Sequence, residues 1–124
     1  MDYIATKDAP SAIGPYSQAI SFKDMIFTSG QIGLTSEGLL VEGGVEAQTR
    51  QVLANLTEVL KEAGSSLSKV VKTTIFLADM DDFAVVNKIY AEFFGSHKPA
   101  RSTVAVKTLP LNVSIEIEAI AIKQ

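Results

Sequence analysis

The stretch Val45–Leu77, VEAQTRQVLANLTEVLKEAGSSLSKVVKTTIFL, changes its apolar period partway along and indicates how the chain folds. Its first part predicts one amphipathic helix that ends at Gly64, with an apolar stripe formed by Val45, Val52, Leu53, Leu56, Val59, Leu60 and Ala63. Its last part, Val70–Leu77, predicts a strand with two largely apolar faces, Val70 and Phe76 lying on the same one. A helix that leads into such a strand is typical of a sheet domain covered by helices.

Further elements lie on either side of this unit. A second helix is expected from Asp79, a suitable cap, to Gly95. A hairpin turn at Lys23-Asp24 joins two strands, and Gln31–Leu34 is expected to extend the second of them. The remaining predicted strands complete the set: Ser17–Phe22, Met25–Ser29, Ala100–Val106 and Ser114–Ile122.

This order of elements predicts an α/β (α+β) fold with one mixed sheet of five or six strands. Right-handed crossovers place both helices on one face, and residues 1–124 form a single domain. The other face then carries Val70, Phe76, Ile120 and Ile122 without a covering layer. Soluble monomers rarely expose that much apolar surface, so a homo-oligomer is expected to cover it.

The composition excludes several kinds of chemistry. The chain has no Cys and a single His, His97, so disulfides, thiol nucleophiles and multi-His or Cys metal sites are not available. Its 11 basic and 14 acidic residues give a net charge of −3 without a basic cluster, which disfavours nucleic-acid binding. No apolar run approaches the roughly 18 residues of a membrane helix, and no signal peptide is apparent. A cytoplasmic protein without a Cys-based or multi-His metal site is expected.

Arg101, one of only two arginines, begins a strand of small and apolar residues. A guanidinium in that position needs a carboxylate partner, because burying it unpaired costs several kcal/mol. The partner is either Glu116 or Glu118 of the same chain or a small anionic ligand held bidentately. The sequence alone leaves both alternatives open.

Glu116 and Glu118 lie on one face of the last predicted strand, about 7 Å apart. A glycosidase pair is disfavoured because the two carboxylates share a strand and do not flank a cleft. Two readings remain: one or both face water at a subunit rim, or one holds a water molecule against a substrate as a general base or acid.

Four other residues are candidates for the edge of a site. Tyr16 follows a rigid Gly-Pro turn, and the pair Ser29-Gly30 combines a hydroxyl with close access to the backbone. Asn87 is a poor helix former within the second helix. Each also has a purely structural explanation, and His97 is expected to be exposed in its loop.

Several segments taken together resemble the RidA (YjgF) family of reactive-intermediate deaminases. The most specific are Pro99-Ala100-Arg101-Ser102 and Ile115-Glu116-Ile117-Glu118-Ala119-Ile120-Ala121. Matching segments also occur near the start of the chain and in its middle: Ala12-Ile13-Gly14-Pro15-Tyr16-Ser17-Gln18, Thr28-Ser29-Gly30-Gln31-Ile32, Val71-Lys72-Thr73-Thr74 and Asp82-Phe83-Ala84-Val85-Val86-Asn87. The resemblance covers essentially the whole chain.

The resemblance implies a chorismate-mutase-like fold and a homotrimer whose sheets form a central barrel with ligand clefts between subunits. It also implies hydrolysis of enamines such as 2-aminoacrylate and 2-aminocrotonate, and of their imine tautomers 2-iminopropanoate and 2-iminobutanoate. These compounds arise from pyridoxal-phosphate-dependent dehydratases, and the products are 2-keto acids and ammonia. No cofactor or metal is implied, and the partners are small carboxylates and further copies of the chain.

The same resemblance suggests roles for individual residues. Arg101 matches the residue that grips the substrate carboxylate, and Glu116 matches the one that positions the attacking water. Tyr16, Ser29, Gly30 and Asn87 match residues lining the cleft. Thr103 also lines it, at a position where many members carry Cys, which excludes regulation by thiol oxidation. Two alternatives remain: a regulator that binds 2-keto acids without turnover, and an RNA-cleaving translation inhibitor.

Overall fold

The computed structural model describes all 124 residues, Met1–Gln124, as one six-stranded sheet with two helices. The helices are α1, Gly44–Glu62, and α2, Phe83–Phe94. The strands are β1 (Asp2–Ile4), β2 (Ala19–Phe22), β3 (Met25–Thr28), β4 (Val70–Leu77), β5 (Ala100–Ala105) and β6 (Ile115–Ile122). Their order across the sheet is β1-β2-β3-β6-β4-β5, and only β4 and β5 are parallel neighbours. The predicted fold class is confirmed.

A glycine follows the end of each helix as predicted, but α2 begins at Phe83, and the turn that Asp79 caps precedes it. The apolar stripe of α1 is buried except for the partly buried Val45, and Gly64 follows the helix with a left-handed φ of 83°. The Asp79 carboxylate accepts a hydrogen bond of 2.9 Å from the backbone N–H of Asp81, which starts the turn leading into α2. Gly95 ends α2 with φ 63°. Neither helix has the combination of length and apolarity that a bilayer-spanning helix needs.

One face of the sheet, here called the helix face, packs against α1 and α2. Strand β6 shows the reason, because its alternate residues Ile115, Ile117, Ala119 and Ala121 are all buried. They join a cluster of 20 buried apolar residues contributed by the sheet and both helices. Burial of this cluster is the main stabilising contribution to the fold.

The opposite face, here called the open face, has no covering layer within the chain. Strand register places five large apolar side chains there, each between 36% and 74% exposed: Tyr3, Phe22, Phe27, Val104 and Ile122. Ile20, Phe76 and Ile120 lie among them and are partly buried. The prediction of an uncovered apolar face is therefore correct.

The predicted position of Val70 is wrong. A β-bulge between Val70 and Lys72 shifts the register of β4 against β6, so that the strand does not alternate strictly at its start. Val70 therefore points into the core and is 1% exposed, whereas Val71 is 42% exposed. From Lys72 onward the alternation is regular, and Phe76 lies on the open face as predicted.

The first part of the chain differs from the prediction in three respects. Strand β1 was not predicted, and it pairs with β2, which begins at Ala19 and not at Ser17. Gln31–Leu34 does not extend β3, because Gln31 and Leu34 form only isolated bridges, to Ile117 and Leu40. The predicted hairpin at Lys23-Asp24 does form, with Lys23 in a left-handed conformation at φ 55°.

Candidate active site

The first of two pockets, here called the glutamate pocket, lies where the chain leaves β3 and passes β6 on the open face. Backbone hydrogen bonds of 2.8 and 3.1 Å join Gln31 to Ile117 and fix the preceding residue, Gly30, beside Glu116. The pocket has a volume of about 610 Å³, and it is lined by Tyr16, Ser29, Gly30, Gln31, Glu116 and Glu118 together with several apolar residues.

Gly30 allows the carboxylate of Glu116 to lie directly against the backbone. A methyl group at position 30 would overlap the Glu116 carboxylate oxygen and would lie only 2.9 Å from its Cγ. Glycine is required here because Glu116 approaches the backbone so closely, and not because of the backbone dihedral angles. The packing restricts where the Glu116 carboxylate can point.

Ser29 and Tyr16 have their polar atoms partly engaged within the chain. The Ser29 hydroxyl donates a hydrogen bond of 2.6 Å to the carbonyl of Ser17, which connects the two segments that frame the pocket. The Tyr16 hydroxyl accepts from the backbone N–H of Ile13 at 3.4 Å, and the side chain is 52% exposed. Both hydroxyls retain hydrogen-bonding capacity toward a ligand.

Glu116 is half-buried, and its carboxylate forms no ion pair or hydrogen bond with another side chain. Burial raises the pKa of Glu116 above its usual range, and the nearby negative charge of Glu118 raises it further. A carboxyl group with a raised pKa holds a proton more readily than an exposed one, which suits a group that both accepts and donates protons. Glu118 itself is exposed on the same face of β6.

The second pocket, here called the arginine pocket, lies between α2 and the edge strand β5. Arg101 Nη1 donates a hydrogen bond of 2.9 Å to Asn87 Oδ1, and the guanidinium carbon lies 4.8 Å from the centre of the Tyr90 ring. The Tyr90 hydroxyl is held by a buried hydrogen bond of 2.8 Å to Thr73. The Phe83 ring lies 5.4 Å from the same guanidinium carbon. These contacts orient Arg101 without neutralising its charge.

Arg101 has no carboxylate partner in the chain. The only side-chain ion pairs are those of the other arginine, Arg50, with Glu46 and Glu92. Strand register explains why Glu116 is not a partner: Arg101 lies opposite Thr73 on the helix face, whereas Glu116 lies opposite Phe76 on the open face. The internal ion pair considered from sequence is therefore not formed, and the guanidinium is free to bind an anion.

The expectation that His97 is exposed is wrong. Its ring is partly buried, packs beside Phe94 with 6.3 Å between ring centres, and donates from Nε2 a hydrogen bond of 2.7 Å to the carbonyl of Val70. This carbonyl lies at the β-bulge, where the regular ladder is interrupted. His97 therefore stabilises the bulge and forms one wall of the arginine pocket, whose volume is about 460 Å³.

The structure brings together six of the seven candidate residues, but in two separate groups. Tyr16, Ser29, Gly30 and Glu116 line the glutamate pocket, and Asn87 and Arg101 line the arginine pocket. Thr103 lines neither, although it shares the helix face of β5 with Arg101. Its hydroxyl oxygen is buried and has no hydrogen-bond partner.

Two structurally important residues near the site were not identified from sequence. Gln18 is 3% exposed and lines the glutamate pocket; its amide accepts from Thr6 N–H at 2.7 Å and donates to the carbonyl of Pro10 at 2.8 Å. Tyr90 lies three residues after Asn87, on the same side of α2. This spacing is the sequence feature that could have identified Tyr90 as a neighbour of the site. A glutamine that binds a distant segment leaves no such local signal.

Known proteins are similar to this chain over nearly its whole length. The sequence model of a family described as "Endoribonuclease L-PSP" matches residues 6–123. A chloroplastic protein of Arabidopsis thaliana named Reactive Intermediate Deaminase A is 54% identical over 121 residues, which are 97% of this chain and 65% of that protein. The human 2-iminobutanoate/2-iminopropanoate deaminase is 51% identical over 97% of this chain and 88% of its own length. The chain thus spans about two thirds of the plant protein and most of the human one.

A solved structure extends the comparison to three dimensions. The E. coli protein TdcF, crystallised with bound serine, superposes with a TM-score of 0.95 at 40% sequence identity, over 100% of both chains. The family match covers nearly the whole chain, and the relatives share about half of its residues. This chain therefore belongs to the Endoribonuclease L-PSP family, which is the RidA (YjgF) family.

Proposed function

We propose that this protein hydrolyses 2-imino acids and their enamine tautomers, such as 2-aminoacrylate and 2-aminocrotonate, to 2-keto acids and ammonia. The half-buried carboxylate of Glu116, packed against Gly30 in a pocket, is the observation that carries the proposal. The names of the plant and human relatives support it. The direct test supplies 2-aminoacrylate from a serine dehydratase and compares the rate of pyruvate release with and without this protein.

The proposed role of Arg101 follows from its free charge and fixed geometry. A guanidinium offers two parallel N–H donors that match a carboxylate, and Asn87 and Tyr90 already hold this one in place. The common feature of the proposed substrates is a carboxylate beside the imine carbon. Arg101 would therefore fix that carbon at a constant position, whatever the side chain of the substrate.

The proposed role of Glu116 is proton transfer. The enamine first tautomerises to the imine, as its terminal carbon gains a proton and its nitrogen loses one to solvent. Glu116 then accepts a proton from water as the water oxygen bonds to the imine carbon, and returns that proton to the imine nitrogen, which gives a carbinolamine. Glu116 next accepts the hydroxyl proton and transfers it to the amino group, so that the C=O bond forms as the C–N bond breaks and the nitrogen leaves as ammonia. Each step needs a group that first accepts a proton and then donates it, which a carboxyl group of raised pKa supplies.

We further propose that the two pockets meet only between subunits of a homotrimer. Within one chain Arg101 and Glu116 line different pockets and lie on different faces of the sheet. The apolar open face, which carries Glu116 near one end, is suited to contact another copy of the chain. In a cyclic trimer each cleft would take Arg101 from one subunit and Glu116 from the next.

Mixed trimers test this arrangement directly. Arg101→Ala and Glu116→Gln subunits are expected to be inactive separately, but every trimer that contains both kinds has one cleft with both native residues. Differently tagged subunits, coexpressed and purified through both tags, should therefore recover roughly one third of the wild-type rate. Sedimentation equilibrium should give about three times the 13.3 kDa subunit mass. Mixed trimers without activity, or a monomer at micromolar concentration, would contradict the shared cleft.

Substitution of Gly30 by alanine is expected to separate activity from stability. The new methyl group displaces the Glu116 carboxylate, which is the flexible end of its side chain, so the folded state adapts at little cost. A misplaced general base is costly for the reaction, and we expect a loss of about 10²-fold in kcat. The melting temperature should fall by only a few degrees. An equally active Gly30→Ala protein would show that the position of Glu116 is unimportant.

The two alternatives predict different outcomes in the same assays. A regulator would bind 2-keto acids at Arg101 without accelerating pyruvate release. An RNA-cleaving enzyme needs a basic groove, whereas the glutamate pocket contains two carboxylates and no lysine or arginine. The polar groups of the two pockets therefore favour a small carboxylate over a polynucleotide.

A further inference from the structure

The rim of the glutamate pocket carries apolar side chains that the fold does not need. Ile13 is 81% exposed and Leu111 is 66% exposed, and both line the pocket beside Glu116. Ile32, Leu34 and Pro110 also line this pocket. Large apolar side chains exposed around a charged group leave their surface in water unless a ligand or another chain covers it.

Leu111 is also held in an unfavourable backbone conformation. Its φ is 56° and ψ is 20°, and the next residue, Asn112, has φ 57°. Asparagine tolerates the left-handed region, but leucine rarely occupies it, and glycine would relieve the strain. Strain of this kind that persists in a folded protein is often associated with a functional site.

The segment that carries Leu111 is tied down on both sides. The backbone N–H of Asn112 donates to the carbonyl of Leu109 at 2.9 Å, and the N–H of Ser114 donates to the buried Gln48 side chain at 2.8 Å. Leu111 is therefore presented by an ordered turn. The backbone that carries its side chain is fixed beside the pocket.

We propose that Leu111, with Ile13, forms a specificity wall that contacts the side chain of the substrate and favours imines with aliphatic chains longer than methyl. This inference rests on the proposed function and assigns the substrate class of the same site. The pocket volume of about 610 Å³ is in the range of sites for much larger ligands than a three-carbon acid. In the proposed complex Arg101 binds the substrate carboxylate and Glu116 acts at the imine carbon. The substrate side chain is then the remaining group that can contact the apolar residues of the rim.

The test compares two imines that differ only in their side chains. An L-amino acid oxidase with catalase produces the imine of alanine or of leucine, and semicarbazide traps whatever remains. Leu111→Ala is expected to lower kcat/KM for the leucine-derived imine about tenfold, with less than about a twofold change for the alanine-derived imine. Leu111→Met, which keeps an apolar side chain at the rim, should restore most of the preference.

Leu39 provides the matched control. It is a leucine of similar exposure, 63%, which lines neither the glutamate pocket nor the arginine pocket, so Leu39→Ala should leave both rates unchanged. An equal loss on both imines in Leu111→Ala, or an unaltered ratio, would overturn the specificity wall while the proposed function stands. A Leu111→Ala protein that no longer assembles would overturn it by making Leu111 a subunit contact. A wild-type protein inactive on both imines would overturn the proposed function as well.

Discussion

Arg101→Ala is expected to lower kcat/KM for imine hydrolysis on the order of 10³-fold, while the protein remains folded and assembled. Two charge-assisted hydrogen bonds to the substrate carboxylate would be lost, each worth about 1.5–3 kcal/mol. The folded state loses much less, because Arg101 has one hydrogen bond to exposed Asn87 and a cation–π contact worth about 0.5–1 kcal/mol. Steady-state kinetics measures the loss of activity, and thermal unfolding measures the small loss of stability. Binding of a 2-keto acid measures the loss of the contact between Arg101 and the carboxylate.

Arg101→Lys distinguishes geometry from charge. Lysine keeps the positive charge but offers a single point donor in place of a planar fork, so activity should remain low. The matched control is Arg50→Ala, because the exposed ion pairs of Arg50 with Glu46 and Glu92 are worth less than about 1 kcal/mol. Arg50→Ala should retain full activity.

A different result for Arg101→Ala would contradict the proposed clamp. If Arg101 were instead part of a buried ion pair formed in the assembly, its removal would cost on the order of 3–5 kcal/mol of stability. The variant would then unfold at a much lower temperature or dissociate. Normal hydrolysis of 2-aminoacrylate by Arg101→Ala would likewise place the substrate elsewhere.

Glu116→Gln is expected to reduce kcat by about 10²–10⁴-fold, the usual contribution of general acid–base catalysis. Glutamine has nearly the same shape but cannot accept a proton from water. Binding of a 2-keto acid product should change little, because Arg101 provides the main attraction. Equal losses in turnover and in binding would assign Glu116 to structure.

The raised pKa of Glu116 should also affect the stability of the folded protein. Because the pKa is higher in the folded state than in the unfolded chain, the charged form opposes folding at pH values above it. Glu116→Gln removes this charge and should therefore raise the melting temperature at neutral pH. The difference should disappear at acidic pH, where the wild-type carboxyl group is protonated in both states. Thermal unfolding across this pH range measures it.

Glu118→Gln is the internal control for Glu116. Glu118 lies on the same face of β6 but is exposed, so its substitution should affect kcat only slightly. Because the charge of Glu118 contributes to the raised pKa of Glu116, the acid limb of the kcat/KM profile should move to lower pH in this variant. An unmoved acid limb would show that Glu118 does not influence the proton-transfer group.

Much of the fold could be predicted from local pattern alone. The helical stripe of α1 is spaced every three or four residues, and the alternation along β6 separates Ile115 and Ile117 from Glu116 and Glu118. Such periods arise because a helix or strand buries one side, so each is readable within a short window. The uncovered apolar face followed from the same reasoning, because two right-handed crossovers place both helices together.

Features that depend on pairing between distant segments could not be read in this way. Strand β1 is only three residues long and is a strand because it pairs with β2. The bulge after Val70 arises from the register of β4 against β6. The residue types of the candidate site were also evident from sequence. Their division was not: Arg101 falls on the helix face and Glu116 on the open face because of which residues pair across β4. Local sequence sets the period of a strand, but long-range hydrogen bonding sets its register, and a shift of one residue reverses every side chain.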